Sequence, residues 1–154
     1  ALAICLSELK GFDSSDFAKF HPAGMLGKKL NMKVKDLLDA DLKPLVKLEC
    51  NIKLIVTEIS QKMLGATAVE NNGKIVGIIT DGDLRRFFDK NSEIKNAKSK
   101  NLMTRNPKSV NSDMLLTEAL KIMNQNKISQ LLVIDKFEYL GIIHIHQILK
   151  EGIQ

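Results

Sequence analysis

One feature constrains this chain more than any other: it repeats itself at a fixed offset of 64 residues, the difference between Gly77 and Gly141. At that offset Val46 meets Val110, Ile52 meets Leu116, Val56 meets Leu120, Ile59 meets Met123 and Val69 meets Val133. The stretch Val76-Gly77-Ile78-Ile79 likewise matches Leu140-Gly141-Ile142-Ile143. A period of this length marks a duplicated supersecondary unit whose copies must stack to bury their apolar faces.

Each copy reads as β-α-β-β-α. Leu45-Val46 and Ser109-Val110 are short extended pieces. Ile52, Ile55, Val56, Ile59 and Met63 follow the three-four spacing of a helix with one buried face. Residues 66–69 predict a strand, Asn71-Asn72-Gly73 a tight hairpin, and residues 74–79 the returning strand. Asp81-Gly82-Asp83 then opens a helix through Leu84-Arg85-Arg86-Phe87-Phe88, with acidic groups suited to its N-terminus. One copy of ~60 residues buries only a marginal core, so the fold class is α/β (α+β), with two repeats packed sheet to sheet about a pseudo-two-fold. The repeats occupy residues 31–92 and 93–154, leaving 1–30 as a separate segment. That segment holds two helical fragments, one stopping at Gly11 and one at 16–20 behind Ser14-Ser15, too short to make a core and suited to the tail of another domain.

Composition excludes several classes. With 44% hydrophobic and 27% charged residues the chain is globular and not disordered. No apolar run approaches the ~20 residues of a membrane helix, and the opening ALAICLSELK lacks the cationic start of a signal peptide, which implies a cytoplasmic protein with no membrane partner. Cys5 and Cys50 form no C-x-x-C pair and read as inert thiols. The net charge of +5 is spread along the chain. Its densest cluster, Lys95, Lys98, Lys100, Arg105 and Lys108, has no interleaved aromatic residue and reads as a solvated linker, not a nucleic-acid face. A basic background does favour anionic small ligands.

The repeat and the stretch Gly77-Ile78-Ile79-Thr80-Asp81-Gly82-Asp83 resemble the CBS domain, a β-α-β-β-α module that occurs in tandem and commonly binds adenosine-type or other nucleotides between its copies. The resemblance spans about residues 33–150. It implies that Thr80 and Asp83 of the G-x-x-T-x-x-D segment face a ligand ribose, with Arg85 or Arg86 available to a phosphate or carboxylate. Physical chemistry supports the role: helix-start N–H groups attract an anion, and a carboxylate accepts two hydrogen bonds from a diol. Helix capping by Asp83 alone is the competing explanation. In the second copy His144 stands in the Thr80 place and Gln147 in the Asp83 place, so that site lacks the carboxylate and is either empty or meets another part of a shared ligand.

The opening segment narrows the resemblance. Gly11-Phe12, Asp16-Phe17-Ala18 and His21-Pro22-Ala23-Gly24-Met25-Leu26-Gly27-Lys28-Lys29-Leu30 resemble the junction of arabinose 5-phosphate isomerases, where a sugar isomerase (SIS) domain runs into two CBS units. Ala23 stands where that family more often has Gly. The resemblance implies a parent enzyme that interconverts ribulose 5-phosphate and arabinose 5-phosphate for Kdo and lipopolysaccharide or capsule synthesis. It places His21 in the active site of the full-length enzyme, where an imidazole suits proton transfer between adjacent carbons. Residues 31–154 would then be its regulatory, non-catalytic portion. They would sense a nucleotide or nucleotide-sugar such as CMP-Kdo, with AMP or ATP as the runner-up, need no cofactor or metal, and belong to a homo-oligomer whose partner is the catalytic SIS domain.

Three other readings compete. Asp81-x-Asp83 after an apolar strand also suggests aspartate-nucleophile phosphohydrolases, although that motif needs further carboxylates and a phosphate-binding lysine and does not belong inside an internal repeat. His144 and His146, two apart on a strand, could ligate a metal but lack a third ligand, and Met63, Met114 and Met123 read as core filling. Finally, the repeat could serve association alone, through apolar residues such as Leu84, Phe87 and Phe88.

Overall fold

The apolar periods of the two repeats become two small sheets. In the computed structural model, which describes residues 31–90 and 96–154, the first repeat runs β1 (Leu45–Lys47), α1 (Ile52–Lys62), β2 (Ala66–Asn71), β3 (Lys74–Thr80) and α2 (Asp81–Lys90). A short helix α3 (Ser99–Leu102) and β4 (Thr104–Arg105) connect it to β5 (Ser109–Val110), α4 (Leu116–Asn126), β6 (Gln130–Asp135), β7 (Glu138–His144) and α5 (Ile145–Lys150). β1 pairs parallel with β2, β2 antiparallel with β3, and β4 closes that sheet; β5, β6 and β7 repeat the first three. The duplication extends to the register, since Val46 lies opposite Val69 and Val110 opposite Val133. Both hairpins also slip by one residue at the same place, after Val69 and after Val133.

The helices stop and start where local chemistry dictates. The Asn51 side chain accepts from the Leu54 N–H at 3.1 Å and caps α1. At the other end Met63 turns left-handed with φ 52°, as Lys127 does after α4 with φ 53°. Two residues expected on the buried face of α1 are therefore not there. Met63 steps off the helix and is 86% exposed, and Val56 is 38% exposed. The buried stripe centres on Ile55 and Ile59, and at ~100° per residue Val56 falls on its edge.

Three apolar clusters hold the pair together. One, in the first repeat, gathers Val46, Ile55, Ile59, Val69, Ile79 and Leu84, and one in the second gathers Val110, Leu116, Leu120, Met123, Leu131 and Ile143. The third joins the sheets face to face: Ala66, Ala68 and Ile78 pack with Leu132 and Ile142. The sheet-to-sheet packing expected from the repeat is thus what the structure has.

The connecting segments are exchanged. Val34, at the start of the first repeat and ahead of β1, lies in the core of the second, and Ala97 and Leu102, at the start of the second repeat and ahead of β5, lie in the core of the first. Backbone bonds fix each exchange: Val34 N–H to Met114 O and Lys35 N–H to Ser112 O at 2.9 Å, against Ser99 N–H to Cys50 O at 2.9 Å and Lys100 N–H to Leu48 O at 3.1 Å. A carboxylate clips each crossing. Asp113 takes Lys33 and Lys35 at 3.0 and 2.9 Å, and Glu49, its counterpart 64 residues earlier, takes Lys98 and Lys100 at 2.7 Å each. Lys98 and Lys100 of the basic linker are therefore paired cations and not an open cationic face.

These clips give the fold an acid limb. Lys35 and then Lys33 hold the Asp113 carboxyl down at about 2, and Lys100 and then Lys98 hold Glu49 below its usual range. A carboxyl whose folded pKa is depressed contributes stability above its unfolded pKa and loses it as the pH falls through the folded value. Melting temperature should accordingly fall between about pH 5 and pH 2, and Asp113→Asn/Glu49→Gln should flatten that limb. Both pairs are solvent-exposed, so the effect should be modest and should shrink in high salt. A limb of unchanged slope in the double variant would remove the clips from the account.

Candidate functional site

The strand-to-helix turn after β3 is built by one local device. Thr80 ends the strand, and Asp83 three residues on sends its carboxylate back to it: Asp83 Oδ2 accepts from the Thr80 N–H at 2.9 Å and from the Thr80 hydroxyl at 2.7 Å. Thr80 Oγ1 in turn accepts from the Asp83 N–H at 3.2 Å. This reciprocal pattern is a capping box, and it satisfies N–H groups that the helix start would otherwise leave open. The other carboxylate oxygen, Oδ1, accepts from Arg86 Nη2 at 2.6 Å and from the Thr104 hydroxyl at 3.4 Å. With 9% of its side chain exposed, Asp83 is a nearly buried anion matched by one guanidinium.

The capping turn forms one wall of a cleft between the repeats, of about 600 Å³. Thr80, Asp83 and Arg86 face Thr104 and Lys108 of the connection and Lys127 of the second repeat. Three cations and a hydroxyl-rich rim surround the nearly buried Asp83 carboxylate and the exposed Asp81, a composition suited to a ligand with both a diol and an anionic group.

The pseudo-symmetric turn repeats the design with neutral groups. The His144 N–H donates to Gln147 Oε1 at 2.7 Å, and the His146 N–H donates to His144 Nδ1 at 3.1 Å. Burial, and then the neighbouring His146, push the His144 imidazole below its ordinary pKa, consistent with an unprotonated Nδ1 that accepts. These residues line a second cleft, of about 460 Å³, together with Met63, Asp81 and Lys150. The two clefts have only Gly65 and Asp81 in common, so Thr80/Asp83 and His144/Gln147 do not meet around one ligand position.

The structure thus gathers Thr80, Asp83 and Arg86 at one site and His144 and Gln147 at another. Arg85 is exposed on the far side of the turn and lines neither cleft, because one residue along a helix rotates the side chain by ~100°. His21 lies outside the described residues. Among the described residues no group of three or more His, Cys, Asp and Glu side chains is placed to hold a metal ion. Cys50 is a free thiol whose pKa is raised by burial, in keeping with an inert role. No helix among the described residues is long and apolar enough to cross a membrane. Sequence reasoning missed Thr104, Lys108 and Lys127, which carry no motif. The signal for Lys127 is positional, since it stands 64 residues after Met63, which borders the opposite cleft.

Two β-α-β-β-α units joined sheet to sheet, with a cleft at each strand-to-helix turn, form the paired CBS architecture, and this chain belongs to the CBS domain family: the match covers residues 44–90 and 99–153. Its relatives place the pair more narrowly. The arabinose 5-phosphate isomerase KdsD of Yersinia pestis is 38% identical over 155 residues, covering 99% of this chain and 47% of that protein. An uncharacterized protein of Helicobacter pylori is 42% identical over 156 residues, with the same coverage of 99% and 47%. The chain spans about half the length of the curated relatives it matches. Among solved structures, a CBS domain protein of Pyrobaculum aerophilum complexed with AMP aligns with a TM-score of 0.68 over 75% of this chain and 89% of its own, at 17% identity, a likeness of fold.

Proposed function

We propose that this CBS pair binds an anionic nucleotide or nucleotide-sugar at the Thr80–Asp83 cleft and thereby regulates an arabinose 5-phosphate isomerase of which it is one portion. The observation that carries the reading is the buried Asp83 carboxylate, set into a cleft with Arg86, Lys108 and Lys127. Oδ2 is committed to the capping box, whereas Oδ1 is held by an exposed arginine and a long contact to Thr104. A ribose diol would displace Arg86 from Oδ1, and the released guanidinium would meet the ligand's phosphate or carboxylate. The ligand so supplies the compensating donor and receives the cation in one exchange. The AMP held by the Pyrobaculum aerophilum protein supports a nucleotide class, and the isomerase relative supports the parent reaction. In that parent, His21 would act near the transferred proton, and CMP-Kdo, a downstream product, would be the feedback ligand, with AMP or ATP as the alternative.

Calorimetry against CMP-Kdo, CMP, AMP and ATP tests the site, with Asp83→Asn as the control. An amide can keep the capping bond, as Gln147 does in the second repeat, while the charge is lost. Affinity should fall about 10- to 100-fold, the effect of removing a charged hydrogen-bond partner worth about 1.5–3 kcal/mol. Gln147→Ala should leave it unchanged. Equal loss at both positions, or no heat from any nucleotide, would sink the one-site reading. Regulation additionally requires that isomerase activity of the longer protein respond to the same ligand, since coupling exists only where affinity differs between two states.

A second reading, association between copies, draws on Val56 on α1 and Met63 just past its end, both exposed apolar side chains. Sedimentation with and without ligand separates it from sensing.

A further inference from the structure

The two hairpins of the pair have the same two-residue loop but not the same chemistry. The first turns through Asn72 and Gly73 at φ 51° and 78°, the residues that such a turn favours. At the corresponding place the second turns through Lys136 and Phe137 at φ 45° and 77°. A bulky residue at positive φ is an outlier, and Phe137 is also 98% exposed. The position therefore carries backbone strain and an unburied aromatic ring together, where its counterpart carries neither. An outlier of this kind calls for a compensating contact.

The place of the tip in the fold says what that contact is. The Asp135 carboxylate, just before the tip, accepts from the Ser112 N–H at 2.8 Å and from the Ser112 hydroxyl. Ser112 O accepts the Lys35 N–H at 2.9 Å, and Asp113 beside it takes Lys33 and Lys35. Lys136-Phe137 is thus anchored next to the crossing segment by which residues before 31 reach the pair. The Asn72-Gly73 tip is tied instead to the connection between the repeats: the Gly73 N–H donates to the Glu70 carboxylate, the Leu48 N–H to Glu70 O, and the Lys100 N–H to Leu48 O. The aromatic tip is thus the one tied through Ser112 to Lys35, ahead of the first repeat's own strands, and the relatives are about twice the length of the pair.

From this we infer that Lys136-Phe137 is a docking peg: Phe137 enters an apolar socket, rimmed by acidic groups that receive Lys136, on the half of the protein preceding the pair. The inference rests on the reading that an isomerase half lies N-terminal to residue 31. The peg gives the pair a second, non-covalent hold on that half besides the chain itself, so movement of the repeats can be transmitted to it.

The test uses the longer protein carrying Phe137→p-benzoylphenylalanine, irradiated and mapped by mass spectrometry. Crosslinks to peptides of the N-terminal half are expected. Crosslinks confined to residues 31–154, of the same or another copy, or no crosslinks, would overturn the peg. In parallel, the tip of the first repeat is transplanted as Lys136→Asn/Phe137→Gly. A merely structural role predicts a better turn and no loss of protection, whereas the peg predicts about 10-fold faster proteolysis within residues 22–35, because an anchoring aromatic contact is lost. Unchanged or slower cleavage overturns it. Turnover of ribulose 5-phosphate is measured on the same protein: crosslinks without turnover would sink the isomerase reading and leave the docking intact.

Discussion

Leu132→Ala is expected to destabilise the pair by about 2–5 kcal/mol, the range for deleting a buried leucine side chain beyond Cβ. Leu132 has no exposed surface and sits where the two sheets meet, among Ala66, Ala68, Ile78 and Ile142. Its counterpart 64 residues earlier is Ala68, so the joint is filled by one large and one small residue at equivalent places. Substituting the large one leaves alanine at both, and the strands, held by their own ladders, cannot close the gap. Urea unfolding should show a lower midpoint, and the melting temperature should drop by about 5–15 °C. Ala68→Leu alone should cost about 1–3 kcal/mol through overpacking, while the double exchange restores volume and should recover part of both losses. A loss under about 1 kcal/mol for Leu132→Ala would mean that the sheet-to-sheet layer is not what holds the repeats together. Because both clefts lie between the repeats, ligand affinity should fall with the same substitution.

The repeated glycines yield the second large effect, and they differ in mechanism. Gly141 has φ 151°, and a Cβ there would lie 3.3 Å from Leu38 Cδ2. Gly141→Ala should cost about 1–3 kcal/mol, mostly backbone strain that truncating Leu38 does not relieve. Gly77 needs no unusual φ, but a Cβ would come within 2.5 Å of Met103 Sδ. Gly77→Ala should therefore be rescued in part by Met103→Ala, which removes the flexible thioether and the Cγ at 3.0 Å but leaves the Met103 Cβ at 3.0 Å. Leu38 and Met103 belong to the two exchanged segments, so each glycine is the gap through which a connection passes. Equal rescue at both positions, read from double-mutant cycles, would contradict this division.

The site was legible in one respect and hidden in another. Thr80 and Asp83 are three residues apart on one chain direction, and such a spacing at a helix start fixes their mutual geometry whatever lies beyond. That is why the capping explanation and the binding explanation both point to the same carboxylate. The choice between Arg85 and Arg86 was not legible, because it depends on which side of α2 faces the second repeat. Nor were Lys108 and Lys127, which reach the cleft from the connection and from the opposite repeat.

By itself the sequence determined the duplication, the order of strands and helices, the hairpin at Asn72-Gly73, and the pairing of two repeats through their sheets. Those follow from period, turn chemistry and the need of a small unit to bury its apolar face, all of which act over short stretches of chain. Tertiary structure alone decided the exchange of the segments around Val34 and Leu102, the exposure of Val56 and Met63, and the separation of two clefts with different charge. It also left Phe137 exposed at a hairpin tip whose base is tied through Ser112 to Lys35. Each of these depends on contacts between residues far apart in sequence, where packing selects among arrangements that local preferences leave equally open.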